Sequence, residues 1–211
     1  MKSYGIIDSV LNDYQIIKLR NIILSQTGNN ILFKEFGIKL GVRNVLQAQN
    51  VWNKFGVVKR LLHSPKISNI VYQHFDKNSD IRLWHDQVLI KSPFNGDAYQ
   101  WHRDTDVWGR KCLNNTAFTL WIPLQHSSIN NGTLTYSNSK YKYAIGEKNV
   151  EAVVGRRGII SYHTGECWHK SGKNSSPKKR VALVFHFIDI NRITKKEMPI
   201  VYRMLPRIKK T

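Results

Sequence analysis

The chain is poor in cysteine and in acid. Its 211 residues hold two cysteines, Cys112 and Cys167, too few for a framework of bridges, so a disulfide-stapled scaffold is excluded and both are expected to be reduced thiols. Long apolar runs are missing as well: nothing approaches the roughly 18 residues that a membrane-spanning helix needs. Near the N-terminus Asp8, Asn12 and Asp13 interrupt any apolar core, and no small-residue cleavage pattern follows, which argues against an export signal. A soluble, cytoplasmic protein is the expectation. Asp and Glu together number 14 against 33 Lys and Arg, a net charge of +19. A field of that sign attracts anionic partners and speeds their encounter. The surplus is spread through Lys59-Arg60, Arg156-Arg157, Lys178-Lys179 and a C-terminal tail with Arg192, Lys195, Lys196, Arg203, Arg207, Lys209 and Lys210. No aromatic-interleaved nucleic-acid motif accompanies it. Internal repeats, low-complexity blocks and linkers are absent too, and the length with 41% hydrophobic residues suits one domain.

What is present changes character along the chain. Ile7, Val10, Leu11, Tyr14, Ile17 and Leu24 recur at helical spacing until Gly28-Asn29-Asn30 stops them, and a second helical stretch from Val51 to Leu62 stops at Ser64-Pro65. After Asp80 the period falls to two: Arg82, Trp84, Asp86 and Val88 alternate with Leu83, His85, Gln87 and Leu89. Short β-branched or aromatic runs follow at residues 118–124, 150–154, 158–162 and 181–188, separated by turn clusters such as Asn130-Asn131-Gly132. The pattern predicts a mainly β fold, a double-stranded β-helix or cupin-like jelly roll with N-terminal flanking helices. Its expected parts are a mainly helical preamble over 1–78, a jelly-roll core over 79–190 and a basic C-terminal tail over 191–211.

The densest chemistry lies in His102-Arg103-Asp104 and in the series His169, Ser171, Asn174, Ser176 and Arg180. Two imidazoles and one carboxylate on one face of an Fe(II) ion leave the opposite positions open. A His-x-Asp segment on a strand points both side chains the same way, and His169 would close the set from elsewhere in the fold. Arg180 offers the bidentate cation that the distal carboxylate of a 2-oxo acid requires, and Ser171 a hydroxyl beside it. A second triplet, His74-Phe75-Asp76, ends a helical segment before a Lys-Asn-Ser turn and is set aside. His163 lacks the downstream pattern and is taken as structural or as a support to the ligands. His63, His85 and His126 carry no pattern.

These residues resemble the phytanoyl-CoA dioxygenase family of Fe(II)/2-oxoglutarate oxygenases. The matching segments are Trp101-His102-Arg103-Asp104 with Trp108, Thr119-Leu120-Trp121-Ile122-Pro123-Leu124, Asn131-Gly132-Thr133-Leu134 and the His169 to Arg180 series, with a fainter echo at Gly41-Val42-Arg43-Asn44-Val45-Leu46. The resemblance implies Fe(II) held by His102, Asp104 and His169, and 2-oxoglutarate held by Arg180 and Ser171, with O2 as the second cosubstrate. It adds Lys91, a position where family members often carry lysine, and puts Thr119 and Trp121 in the pocket wall. Trp108, Gln87 and His186 are the candidate substrate-pocket residues; for Lys91 the alternative is a solvated strand end, and for His186 a satisfied core histidine. Asn174 and Ser176 are expected to shape the loop before Arg180. Arg156-Arg157-Gly158 departs from the family, which often has an acid after this glycine.

The implied activity is hydroxylation of a C–H bond of a small anionic metabolite, free or tethered to coenzyme A or a carrier, with 2-oxoglutarate converted to succinate. Related halogenases lack the carboxylate, so Asp104 favours hydroxylation. Charge alone leaves nucleic acid or an acidic membrane surface open as partners. The rival reading is a non-catalytic basic jelly roll that binds nucleic acid or another polyanion; a zinc hydrolase on the same ligands is more distant, because it leaves Arg180 and Ser171 without a task.

Overall fold

The change of period after Asp80 is a change of layer. The computed structural model describes residues 2–8, 10–28, 34–35, 43–76, 78–108, 113, 115–193, 202 and 204–210. In chain order its elements are β1 (Tyr4–Ile7), α1 (Asp13–Ser25), β2 (Lys34–Glu35), β3 (Val45–Gln49), α2 (Gly56–Leu62), α3 (Pro65–Tyr72), β4 (Ile81–Lys91), β5 (Tyr99–His102), α4 (Asp104–Trp108), β6 (Ala117–Pro123), β7 (Leu134–Ser137), β8 (Val150–Ala152), β9 (Ile160–Thr164), β10 (Trp168–Ser171) and β11 (Arg180–Asp189). They build two antiparallel sheets, of order β1-β9-β6-β11-β4-β3-β2 and β5-β10-β7-β8. This is the expected jelly roll, with α1, α2 and α3 against the outer face of the larger sheet.

Strand β11 shows why the fold takes this form. Val181, Leu183, Phe185 and Phe187 pack into a core with Ile16, Leu19 and Ile23 of α1, Val58 and Leu62 of α2, and Ile67 and Val71 of α3. Arg180, Val184 and His186, on the alternate positions, line the space between the sheets. A strand buried on both faces reads as a continuous apolar run rather than an alternating one. Local signals place the helices that cover it. Asn12 and Gln15 form a reciprocal capping box on α1, at 2.9 and 3.2 Å. Ser64 caps α3 with Pro65 in its first turn, so the dipeptide that ends one helix opens the next. Phe185 is fully buried among these elements. Phe185→Ala is expected to cost about 3–5 kcal/mol of stability, a loss that urea denaturation would register.

Besides α1, α2 and α3, the mainly helical preamble over 1–78 contributes strands. β1 pairs with β9, and β3 pairs with β4, so both extend the larger sheet. β1 spans four residues, too few for a period of two to stand out. In the tail, Ile208 is buried, the Tyr72 hydroxyl donates to the Ile208 carbonyl at 2.9 Å, and Arg207 pairs with Asp80 at 3.0 Å. That end of the tail is packed onto α3 and β4, with Arg207, Lys209 and Lys210 still exposed. Cys112, Lys195, Lys196 and Arg203, with Gly41 and Val42 of the faint family echo, lie outside the described residues.

Two backbone devices position the pocket. On β4 the ladder to β11 runs His85 opposite His186 and then Leu83 opposite Phe187, so Trp84 is an extra residue. Strict alternation puts Trp84 and His85 on opposite faces; the bulge turns both toward the space between the sheets. In the turn before β7, Gly132 has φ 73°, and a Cβ there would strike the carbonyl of Gly172. The glycine therefore lets the chain leaving β10 close against this turn.

Candidate active site

His102 ends β5 and His169 sits directly opposite it on β10, their ring centroids 4.1 Å apart. His102 Nδ1 lies 2.7 Å from the Gln100 carbonyl and His169 Nδ1 lies 3.0 Å from the Cys167 carbonyl. A carbonyl only accepts, so both Nδ1 atoms carry the proton and both Nε2 atoms present a lone pair. Asp104 does not continue the strand, as a His-x-Asp pair on one strand would; it opens α4. The turn between them still brings its carboxylate over the two rings. One donor atom from each of His102, Asp104 and His169 lies within 4.8 Å of the others, the one such grouping of metal-capable side chains among the described residues.

The charge states suit a divalent ion. Burial opposes ionisation of Asp104, yet His169, His163 and His186 around it hold its carboxyl well below the usual carboxylate range. Burial pushes His169 well below the usual imidazole range, helped by His163 and His102, and burial lowers His102 too. Two neutral imidazoles and an ionised carboxylate are the donor set that Fe(II) takes with open positions remaining.

Asp104 is held in place through its other oxygen. Oδ1 lies toward His169 Nε2, at 3.5 Å, while Oδ2 accepts from the Thr119 hydroxyl at 2.8 Å and from His163 Nε2 at 3.1 Å. Since Thr119 donates to the carboxylate, the 2.9 Å contact between its oxygen and His186 Nδ1 must have the imidazole donating. His186 Nε2 then accepts from Gln87 at 3.1 Å, and Gln87 accepts from Gln47. Four strands thus pass one direction of hydrogen bonding from β3 to the carboxylate. A second line runs from His163 to the Tyr136 hydroxyl at 3.3 Å and on to Ser161 at 2.7 Å. Thr119 and His163 face each other across the ladder between β6 and β9, and His186 faces Thr119 across that between β6 and β11.

The opposite region of the cavity is cationic. Arg180 is 2% exposed, with Nε and Nη1 buried and without a partner. Its guanidinium stands over the Trp121 ring, 5.9 Å from the centroid, and burial draws its pKa down to about 10. Lys91 faces it across the β4–β11 ladder and donates to the Ser171 hydroxyl at 2.8 Å and to the Gly172 carbonyl. Burial and then Arg180 bring the Lys91 amine down to about 6. Lys91 is thus an internal lysine rather than a solvated strand end. Two buried N–H groups left unpaired beside a second nitrogen base are a standing cost that an entering carboxylate removes. Asn174, fully buried, ties the approach to Arg180 by donating to the Ser92 and Lys178 carbonyls, each at 2.9 Å, and its Oδ1 accepts from Ser176.

The donor set, its Thr119, His163 and His186 supports, and the Arg180, Lys91 and Ser171 group border one cavity of about 490 Å³. It contains every residue expected from the sequence to line the site: His102, Asp104, His169, Arg180, Ser171, Lys91, Thr119, Trp121, Trp108, Gln87 and His186. It also has a wall that sequence reasoning missed, made by Val45, Gln47, Gln49, Trp84, His85 and Val107. The alternation of Val45, Gln47 and Gln49 was the available signal for β3; the Trp84 and His85 pair had none, because a bulge leaves no periodic trace. His74-Phe75-Asp76 is elsewhere: His74 packs on Phe118 and Tyr162, and Asp76 pairs with Arg192 at 2.8 Å.

The model of the phytanoyl-CoA dioxygenase (PhyH) family matches residues 41–182. The fold is shared with EctD from S. alaskensis, solved with 2-oxoglutarate and 5-hydroxyectoine: 13% identity, TM-score 0.76, 94% of this chain and 78% of that one covered. SnoK, an alpha-ketoglutarate-dependent carbocyclase of nogalamycin biosynthesis, aligns at 17% identity and TM-score 0.74 over 99% of this chain and 92% of that one. The epimerase SnoN of the same biosynthesis aligns at 17% identity and TM-score 0.73, over 89% and 79%. No curated protein sequence matches the chain.

Proposed function

We propose that this chain, which belongs to the phytanoyl-CoA dioxygenase family of Fe(II)/2-oxoglutarate-dependent oxygenases, hydroxylates a C–H bond of a small anionic metabolite. The observation that carries the reading is the pairing, in one cavity, of the His102, Asp104 and His169 donor set with the unpartnered buried guanidinium of Arg180. A binding module has no use for both.

In this reading His102, Asp104 and His169 hold the iron. Bound there, iron supplies the coupling of O2 reduction to oxidative decarboxylation of 2-oxoglutarate, giving succinate and carbon dioxide while one oxygen atom goes to the substrate carbon. Arg180 grips the distal carboxylate of 2-oxoglutarate by two parallel hydrogen bonds, with the Ser171 hydroxyl and Lys91 beside it, and Trp121 fixes the plane of the guanidinium. Thr119 and His163 keep Asp104 from rotating. The substrate side is the wall of Trp84, Trp108, Val107 and Gln87. That wall suits a neutral, partly apolar portion with a hydrogen-bonding group; the anionic group of the metabolite is left at the mouth, where the +19 charge of the protein favours it. The aromatic walls exclude water from the reacting carbon.

Retention of the Asp104 carboxylate supports hydroxylation. The test is turnover of anionic metabolites with Fe(II), 2-oxoglutarate and 18O2, read by mass spectrometry. A product carrying one 18O atom, formed with one equivalent of succinate, is expected. Succinate formed with a substrate-derived product that has lost hydrogen and gained no oxygen contradicts hydroxylation.

The positioning role of Thr119 has its own signature. Thr119→Val keeps the shape of the side chain and removes its hydroxyl. Fe(II) affinity is expected to fall about 10- to 100-fold, the usual effect of losing a partner that orients a metal ligand, and stability by about 1–3 kcal/mol, because the buried His186 Nδ1–H loses its acceptor. Equilibrium titration against a competing chelator reads the loss.

A further inference from the structure

A second depression, of about 1200 Å³, lies against α1 and the loops that precede β9 and β11. Arg20, Lys66, Arg156, Arg157, Lys178 and Lys179 line it, and Asp13 is the one carboxylate among its described lining residues. Asp13 is already taken, by Arg157 at 3.0 Å. Lys66 donates to the Val10 carbonyl at 2.8 Å. Among the described residues lining the depression, no other carboxylate offsets the remaining positive charge.

Two buried donors there are also unmatched. Arg20 Nη2 donates to the Lys179 carbonyl at 3.2 Å, but its Nε is buried and has no partner. Gln125 accepts from the Val181 amide through its Oε1 at 2.8 Å, and its Nε2 is likewise buried and unpartnered. Leaving a buried donor unmade is costly, and so is holding guanidinium groups together without an anion. Burial, and then Arg157, lower the pKa of Arg20. An anion rich in acceptor oxygens relieves both costs. The cations are spread around an opening far larger than a single carboxylate, and arginine pairs with phosphate by two parallel hydrogen bonds.

We propose that this depression is a binding site for an anion with two linked phosphates, either free or as the diphosphate of a nucleotide. It is separate from the cavity of the iron site, although Arg180 borders both. The ligand spans from Arg20 and Gln125 on the floor to the exposed lysines and arginines of the rim.

Calorimetric titration of the full-length chain, without iron so that chelation does not enter, tests this with inorganic pyrophosphate and with ADP as probes and 2-oxoglutarate present at saturation. Saturable binding is expected, weakened tenfold or more by Arg20→Gln. Arg157→Gln, on an exposed side chain, is expected to weaken it similarly and guards against misfolding of the first variant. Lys148→Gln removes the same unit of charge outside the depression and is expected to change binding less than twofold. Tighter ADP than pyrophosphate identifies the nucleotide as the source; equal affinities identify the free anion. Absence of binding, equal losses in all three variants, or binding that appears only when 2-oxoglutarate is omitted overturns the proposal. The last pattern would assign the anion to Arg180 in the catalytic cavity.

Discussion

Arg180→Ala is expected to raise the KM for 2-oxoglutarate by about 30-fold or more, with a smaller effect on kcat. Truncating one partner of a buried, hydrogen-bonded charge pair costs about 2–5 kcal/mol, and every 1.4 kcal/mol is tenfold. The conditions for a value in that range are met: the guanidinium is 2% exposed, and two of its nitrogens have no partner in the protein. Burial depresses its pKa to about 10. Burial resists a charge that the bound dicarboxylate would support, so ligand binding should return the group toward its ordinary value. Arg180→Lys keeps the charge but loses the fork, and an intermediate KM is expected. Initial rates of succinate release at varied 2-oxoglutarate give both values. An unchanged KM in Arg180→Ala would move the cosubstrate elsewhere in the cavity.

His169→Ala is expected to lower Fe(II) affinity and turnover by more than about 100-fold, since removing a ligand exceeds the 10- to 100-fold cost of removing a ligand's support. The loss has two parts. One Nε2 donor disappears, and Asp104 loses the imidazole that does most to keep it ionised. His102 alone, across the strand pair, then leaves one nitrogen and one carboxylate, a set common on protein surfaces without a metal. The fold should tolerate the change, because β10 is held on both sides by its ladders to β5 and β7. Chelator competition measures the affinity, and circular dichroism checks that the sheets persist.

The legible part of the site was the part encoded in local spacing. His169, Ser171 and Arg180 recur at fixed separations across the connection from β10 in the smaller sheet to β11 in the larger, and the fold delivers them to one cavity because all three border the space between the two sheets. His102 and Asp104 were readable as neighbours, though Asp104 reaches the site from a helix start rather than from the strand. The apolar runs of β6 and β11 read as strands, and the expected jelly roll has them side by side at its centre.

What escaped is non-local or aperiodic. Gln47 and His186 belong to one line of hydrogen bonds, yet they sit on strands far apart in sequence, and only the pairing order joins them. Trp84 and His85 share the cavity through a bulge, which breaks the period that strand reading relies on. β1 is too short to carry a pattern. The basic surplus was plain in composition, but which cations converge was not: Arg20 on α1 meets Lys179 from the loop before β11 only in the folded chain.

The central claim is that His102, Asp104 and His169 hold iron beside a 2-oxo acid bound to Arg180. An anaerobic titration with Fe(II) followed by 2-oxoglutarate, watched by visible absorption, tests it without knowledge of the substrate. A metal-to-ligand charge-transfer band should appear in the native chain, saturate at one equivalent of Fe(II), and be absent in His169→Ala. A native chain that binds neither component, or a band of full strength in His169→Ala, would contradict the account.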